Sequence, residues 1–161
     1  MSYIIGIDPG VSGAIVILQS EVCPFPVGWL RMPTIKQGKS SRVDAAAVAR
    51  FLQDFDCGHA YIEQVGSMPG QGVASTFTFG HAAGVVEGVV VGQMIPVTKV
   101  APVTWKRRAG LVGTDKDAAR SRAIQLWPSW AALEKKGEGQ ALADAALIAR
   151  FGPQTQCEEV R

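Results

Sequence analysis

Three carboxylates in this sequence stand where their neighbours are apolar. Asp8 ends the run "YIIGID", Glu63 sits in "HAYIEQV", and Asp144 lies early in "QALADAALIARF". Taking an unpaired carboxylate out of water costs several kcal/mol, or raises its pKa until it takes up a proton. Asp8 is therefore either at the exposed mouth of its strand or held there for a partner such as a cation. Three converging carboxylates suit hard divalent cations, which prefer oxygen ligands. A pair of such ions roughly 4 Å apart can activate water for phosphodiester hydrolysis. Taken singly, each acid reads as readily as a cap or a surface residue. The fold decides whether they meet.

Residues 3–8 and 13–19 read as a hairpin, with Pro9, Gly10 and Gly13 supplying the turn. A third strand follows over 27–32, and "KQGKSSR" (36–42) reads as a polar loop. Asp44 caps a helix whose Ala47, Val48, Phe51, Leu52 and Phe55 share one face. "HAYIEQV" is a fourth strand with Glu63 near its end, "GSMPGQG" (66–72) a loop, and 74–93 a long helix. "IPVTKV" is a fifth strand. Pro102 opens a short helix, Thr114 caps another that Pro128 ends, and the last helix covers about 140–151. On that helix Asp144 shares a face with Ile148 and Phe151. If it packs beside the first strand, the three acids converge. The pattern is mixed α/β, and the opening hairpin argues against a purely parallel doubly wound sheet.

With 161 residues, 47% hydrophobic and 19% charged, the composition is that of one ordinary globular domain. Cys23, Cys57 and Cys157 are widely spaced, with no CxxC, which points to a reducing, cytoplasmic setting and away from a disulfide framework or zinc site. Asp8 interrupts the N-terminal apolar run too early for a signal peptide. His59 and His81 lack ligand-spaced partners and read as structural. The net charge is only +2, yet residues 99–122 carry seven basic side chains against Asp115 and Asp117, a local balance of +5. That is the footprint of a polyanion partner, although a solvated helix face gives the same pattern. Trp105 and Trp127 read as core. Gly80, Gly84, Gly88 and Gly92 recur every four residues, which lets helices approach closely, either within the core or across a dimer. His81, Glu87 and Gln93 argue against a membrane span there.

"GIDPGVSGAIVIL", "YIEQV", "STFTFGHAAGVVEGV", "VAPVTWKRRAGLVGTDKDAARSRAIQLWP" and "ALADAALIARF" together resemble phage and bacterial RuvC-type Holliday junction resolvases, in order and over nearly the whole chain. The resemblance implies an α/β, RNase H-like fold: a central mixed five-stranded sheet flanked by helices. It implies a nuclease domain over 1–152 followed by a disordered tail over 153–161. It further implies a homodimer that nicks four-way branched DNA in symmetric pairs with Mg²⁺ or Mn²⁺, two ions per site, and no nucleotide cofactor or membrane.

Carried over by position, Asp8, Glu63 and Asp144 match the family's catalytic metal-binding acids. Lys106 and Lys116 resemble its basic active-site and DNA-contacting residues, and Lys116 is expected to assist catalysis. The +5 segment adds Arg107 and Arg120 to the expected phosphate grip. Two departures stand out. Where the family usually has an acid or histidine three residues before the last aspartate, this chain has Ala141; Gln140, Glu138 or water is left to fill the position. Where the family often has an aromatic wedge behind its E-Q motif, this chain has Gly66, Ser67 and Met68, so Met68 is the expected smaller wedge. Phe77 and Phe79 read as core aromatics instead. Residues 66–98 hold no Lys or Arg and one acid, Glu87, so the dimer contact is expected there, on Gly80, Gly84, Gly88 and Val85. Competing readings are a looser fork or flap nuclease, a catalytically silent junction binder and, weakly, an actin-like ATPase, which needs a second domain that 161 residues do not supply.

Overall fold

The alternation of β1 (Tyr3–Asp8) and β2 (Ala14–Gln19) sends side chains to two different cores. Ile5, Ile7, Ile15 and Ile17 face one side of the sheet, while Ala14, Val16 and Leu18 face the other. A sheet covered on both faces needs near-continuous apolar strands, which is why β2 carries no polar residue before its last. The computed structural model describes residues 3–20, 23–67 and 69–152; Met68 and residues 153–161 lie outside the described residues.

The five-stranded sheet has the order β3-β2-β1-β6-β7. Strand β3 (Pro26–Arg31) pairs antiparallel with β2, and β2 antiparallel with β1; β6 (Cys57–Glu63) and β7 (Val97–Val100) continue in parallel. Helices α1 (Ala45–Gln53) and α2 (Val73–Gly92) cover the isoleucine face. Helices α3 (Pro102–Ala109), α4 (Ala118–Leu126) and α5 (Lys136–Phe151) cover the other, with a short 3-10 turn at Ala131–Leu133 before α5. Asp44 caps α1 as expected, accepting a bond from the Ala47 N–H at 3.0 Å.

Helix α5 lies almost directly on β1. A Cβ at Gly6 would overlap the Ala145 carbonyl oxygen and come within 2.6 Å of the Ala149 nitrogen. That approach needs glycine on the strand and the alanines at 141, 143, 145, 146 and 149 on the helix. Because Ala145 sits over Gly6, Asp144 is carried toward the Asp8 end of the strand.

Three sequence expectations fail here. Residues 36–42 are not a loop: β4 (Thr34–Gln37) and β5 (Ser40–Val43) form a separate two-stranded hairpin, turning at Gly38 with φ +62°. Thr114 does not cap a helix. Its hydroxyl donates to the Leu111 carbonyl at 2.7 Å, the Asp115 carboxylate accepts the Asp117 N–H at 3.0 Å, and α4 starts only at Ala118. Residues 113–117 are thereby a turn. Helix α5 begins four residues before the expected boundary, because Gly137 and Gly139 lower helix propensity but do not forbid the helix. Gly139 is needed there, since a Cβ would press on the Leu133 backbone at 2.6 Å.

Candidate active site

Asp8 and Glu63 are the last residues of β1 and β6, neighbouring parallel strands that end at the same edge of the sheet. Asp144 reaches that edge from α5. The structure thus brings together the three acids singled out in the sequence, from three elements far apart in the chain. Burial raises Asp8 to a pKa of about 6, helped by the Glu63 charge and opposed by the Gly10 N–H, Lys106 and Arg31. Burial also raises Asp144 to about 7, helped by Asp8 and Glu63 and opposed by a hydrogen bond from Gln140 and by Lys106. Both acids stand at a half-buried mouth where charge is costly without a cation. The indole of Trp105 donates to Glu63 Oε1 at 2.9 Å and fixes the orientation of that carboxylate.

Of the two proposed substitutes at the Ala141 position, Gln140 touches Asp144: its Nε2 donates to Asp144 Oδ1 at 3.2 Å. Its Oε1 is buried and accepts from no donor, which leaves a lone-pair oxygen free beside the acids. Glu138 instead meets Lys135 at 3.7 Å on the exposed first turn of α5, so it is no replacement. Among the described residues no three Asp, Glu, His or Cys side chains stand close enough to hold a metal ion; the acids are neighbours that feel one another's charge. The donor set nonetheless fits a hard divalent cation. It is all oxygen, it has two carboxylates strained by mutual charge, and it includes one unpartnered amide oxygen.

A cleft of about 590 Å³ opens beside Asp144, with Leu111 and Ala119 in its lining and Lys106, Lys116, Asp115 and Gln140 around it. Lys106 and Lys116 are exposed there, as is Arg107 on α3. Arg120 is placed differently from expectation. Its Nη1 donates to the Leu133 carbonyl at 2.8 Å and its Nε is buried, so it braces the turn before α5 and offers little to a phosphate. Four more cations of the +5 segment also have protein partners: Lys99 pairs with Glu87, Lys106 lies over the Trp105 ring, Arg108 meets the Phe151 and Gly152 carbonyls, and Arg122 meets Gln125. Charge counting could not separate these from the free ones.

His59 bonds Thr98 at 2.8 Å and packs on Tyr61, in keeping with a structural role. Trp105 and Trp127 are core. Phe77 is not: it is 63% exposed, with the Arg42 guanidinium 5.5 Å from its ring centre. Gly80, Gly84, Gly88 and Gly92 meet nothing within 4 Å, so the stripe does not pack on the chain's own sheet. Val85 is half-buried against the α1–α2 core. The sequence reading missed two residues. Arg31 ends β3 beside the Asp8 turn, and Trp105, in the core as expected, also donates its indole N–H to Glu63, a contact that helical spacing does not reveal.

No protein-family model matches this chain, and no curated protein matches it in sequence. Solved structures do match, and they define an RNase H-like fold. Thermus thermophilus RuvC in complex with a Holliday junction substrate is 20% identical, over 94% of this chain and 97% of that one, with a TM-score of 0.67. A second Thermus thermophilus RuvC structure is 19% identical, over 93% and 96%, with a TM-score of 0.63. Within that class, the chain shares the fold of these RuvC structures over 94% of its length.

Proposed function

We propose that this protein is a metal-dependent, structure-selective endonuclease that resolves four-way DNA junctions by paired symmetric nicks. The convergence of Asp8, Glu63 and Asp144 at one sheet edge, two of them with raised pKa values, carries this reading. The shared fold of a RuvC bound to a Holliday junction supports it. Asp8, Glu63 and Asp144, with the Gln140 amide oxygen, would hold two Mg²⁺ or Mn²⁺ ions, which when bound supply an activated water and neutralise the leaving oxygen. Trp105 keeps the Glu63 carboxylate aimed into the site. Lys106 and Lys116 place positive charge where the phosphodiester gains negative charge. One set of acids serves one strand, so two nicks require two copies. The exposed glycine face of α2 is the contact proposed for that homodimer.

The test is cleavage of a synthetic four-way junction, a Y-fork and linear duplex with Mg²⁺, Mn²⁺ or EDTA. Paired nicks in the junction alone, lost in EDTA, are the expected result. Equal cutting of the fork would recast the protein as a looser branched-DNA nuclease. Junction-selective binding without cutting under either metal would favour a silent binder, the second reading that Ala141 supports.

A further inference from the structure

The β4–β5 hairpin is a basic element rooted beside the acids. Residues 34–43 contain Lys36, Lys39 and Arg42 and no Asp or Glu, although the chain outside residues 99–122 carries a net negative charge. Its position follows from two backbone bonds. The Met32 N–H donates to the Gly13 carbonyl at 3.0 Å, in the turn that follows Asp8, and the Asp44 N–H donates to the Pro33 carbonyl at 2.8 Å, closing the hairpin base. Strand β5 packs on α2, and Arg42 lies over the exposed Phe77 ring. The ring and guanidinium anchor the hairpin; Lys39 is exposed, and Lys36, also exposed, donates from its ammonium to Ser41 Oγ at 3.1 Å. Lys106 and Lys116 stand with α3 and α4 on the opposite face of the sheet. The hairpin's base therefore lies on the other side of the Asp8 turn from the lysines of α3 and the 113–117 turn.

We propose that this hairpin is a second DNA-backbone contact, in which Lys36 and Lys39 bind phosphates on the side of the acids away from Lys106 and Lys116. The inference rests on the reading that the substrate is DNA. Two basic elements suit a branched substrate, because two duplex arms leave a junction in different directions and a single basic ridge can follow only one. The contact is to phosphates and adds affinity without reading sequence.

The test compares the wild-type chain with a Lys36→Gln/Lys39→Gln variant, binding a four-way junction in EDTA over a range of NaCl. Each lost phosphate contact lowers the log K against log salt slope by about 0.9. The double variant should lose about two units of slope, and Lys36→Arg/Lys39→Arg should keep it. Both side chains are exposed, and circular dichroism melting checks that the fold persists. Ethylation interference on wild-type complexes gives a reading independent of any variant: two separate phosphate clusters are expected, one of them missing with the glutamine variant. An unchanged slope, or a single phosphate cluster in wild type, overturns the hairpin contact. If the wild type itself prefers no DNA form and shows no salt dependence, the DNA reading fails first.

Discussion

Helices α5 and α2 flank the same sheet, and both are built from small residues, yet they use that smallness in opposite ways. On α5, alanines at 141, 143, 145, 146 and 149 are buried, and the helix backbone rests against Gly6 of β1. On α2, Gly80, Gly84, Gly88 and Gly92 open onto empty space, while Ala82, Ala83, Val86 and Val90 do the internal packing. A small-residue stripe permits a close approach without showing that one is made. For α5 the neighbour is the chain's own first strand, and the result is a placed carboxylate. For α2 none of the described residues covers the stripe, and the homodimer is proposed there.

The largest effect that sharpens this contrast is on α5 itself. Asp144→Asn keeps the helix and removes the charge, so junction cleavage should fall by about a thousandfold or more while junction binding in EDTA persists. Full cleavage by this variant would remove Asp144 from the site. Next, Gly6→Ala should cost about 3 kcal/mol or more, because the clash is with helix backbone that cannot step aside. A melting curve matching wild type would mean α5 is not pinned as described.

The acids also give the metal-free protein a pH dependence. Asp8 and Asp144 titrate near 6 and 7 when folded but near 3.8 when unfolded. The native state thus binds more protons between about pH 4 and 7, and the stabilisation present below pH 4 is lost as pH rises through 7. Denaturant melts without metal should show this loss, and Asp8→Asn/Asp144→Asn should flatten it. Divalent metal competes with the same protons and should bind more weakly below about pH 7. The smallest effect is on α2. Gly84→Ala should leave monomer stability unchanged or raise it by up to about 1 kcal/mol, since the added methyl meets nothing. Gly84→Leu should keep the fold and shift sedimentation toward monomer. A dimer that survives Gly84→Leu would move the interface elsewhere.

The residues show why part of this was legible from sequence. Asp8, Glu63 and Asp144 stood out because each breaks an apolar run, and such breaks report on burial, which folding preserves. The sheet strands were readable for the same reason. The β4–β5 hairpin was not, since Thr34, Ile35, Lys36 and Gln37 are all exposed and leave no inside-outside pattern. Arg120 and Lys116 look alike as charges, and only the Leu133 carbonyl separates a brace from a free cation. Phe77 was assigned to the core by its type, but its helical position turns it outward beside Arg42. The Thr114 error came from reading a capping residue without the competing Leu111 carbonyl that claims its hydroxyl.

The packing of α5 on β1 also sets an order in time. The three acids sit at positions 8, 63 and 144, so the first strand leaves the ribosome long before the helix that completes its site. At ordinary elongation rates the gap is on the order of ten seconds. Throughout it, β1 and β2 present an uncovered apolar face, the surface α5 will later bury. A nascent chain of this design is vulnerable to sticking before it has its full set of acids. The proposed cutting chemistry therefore has to wait until the last helix of the fold has been made.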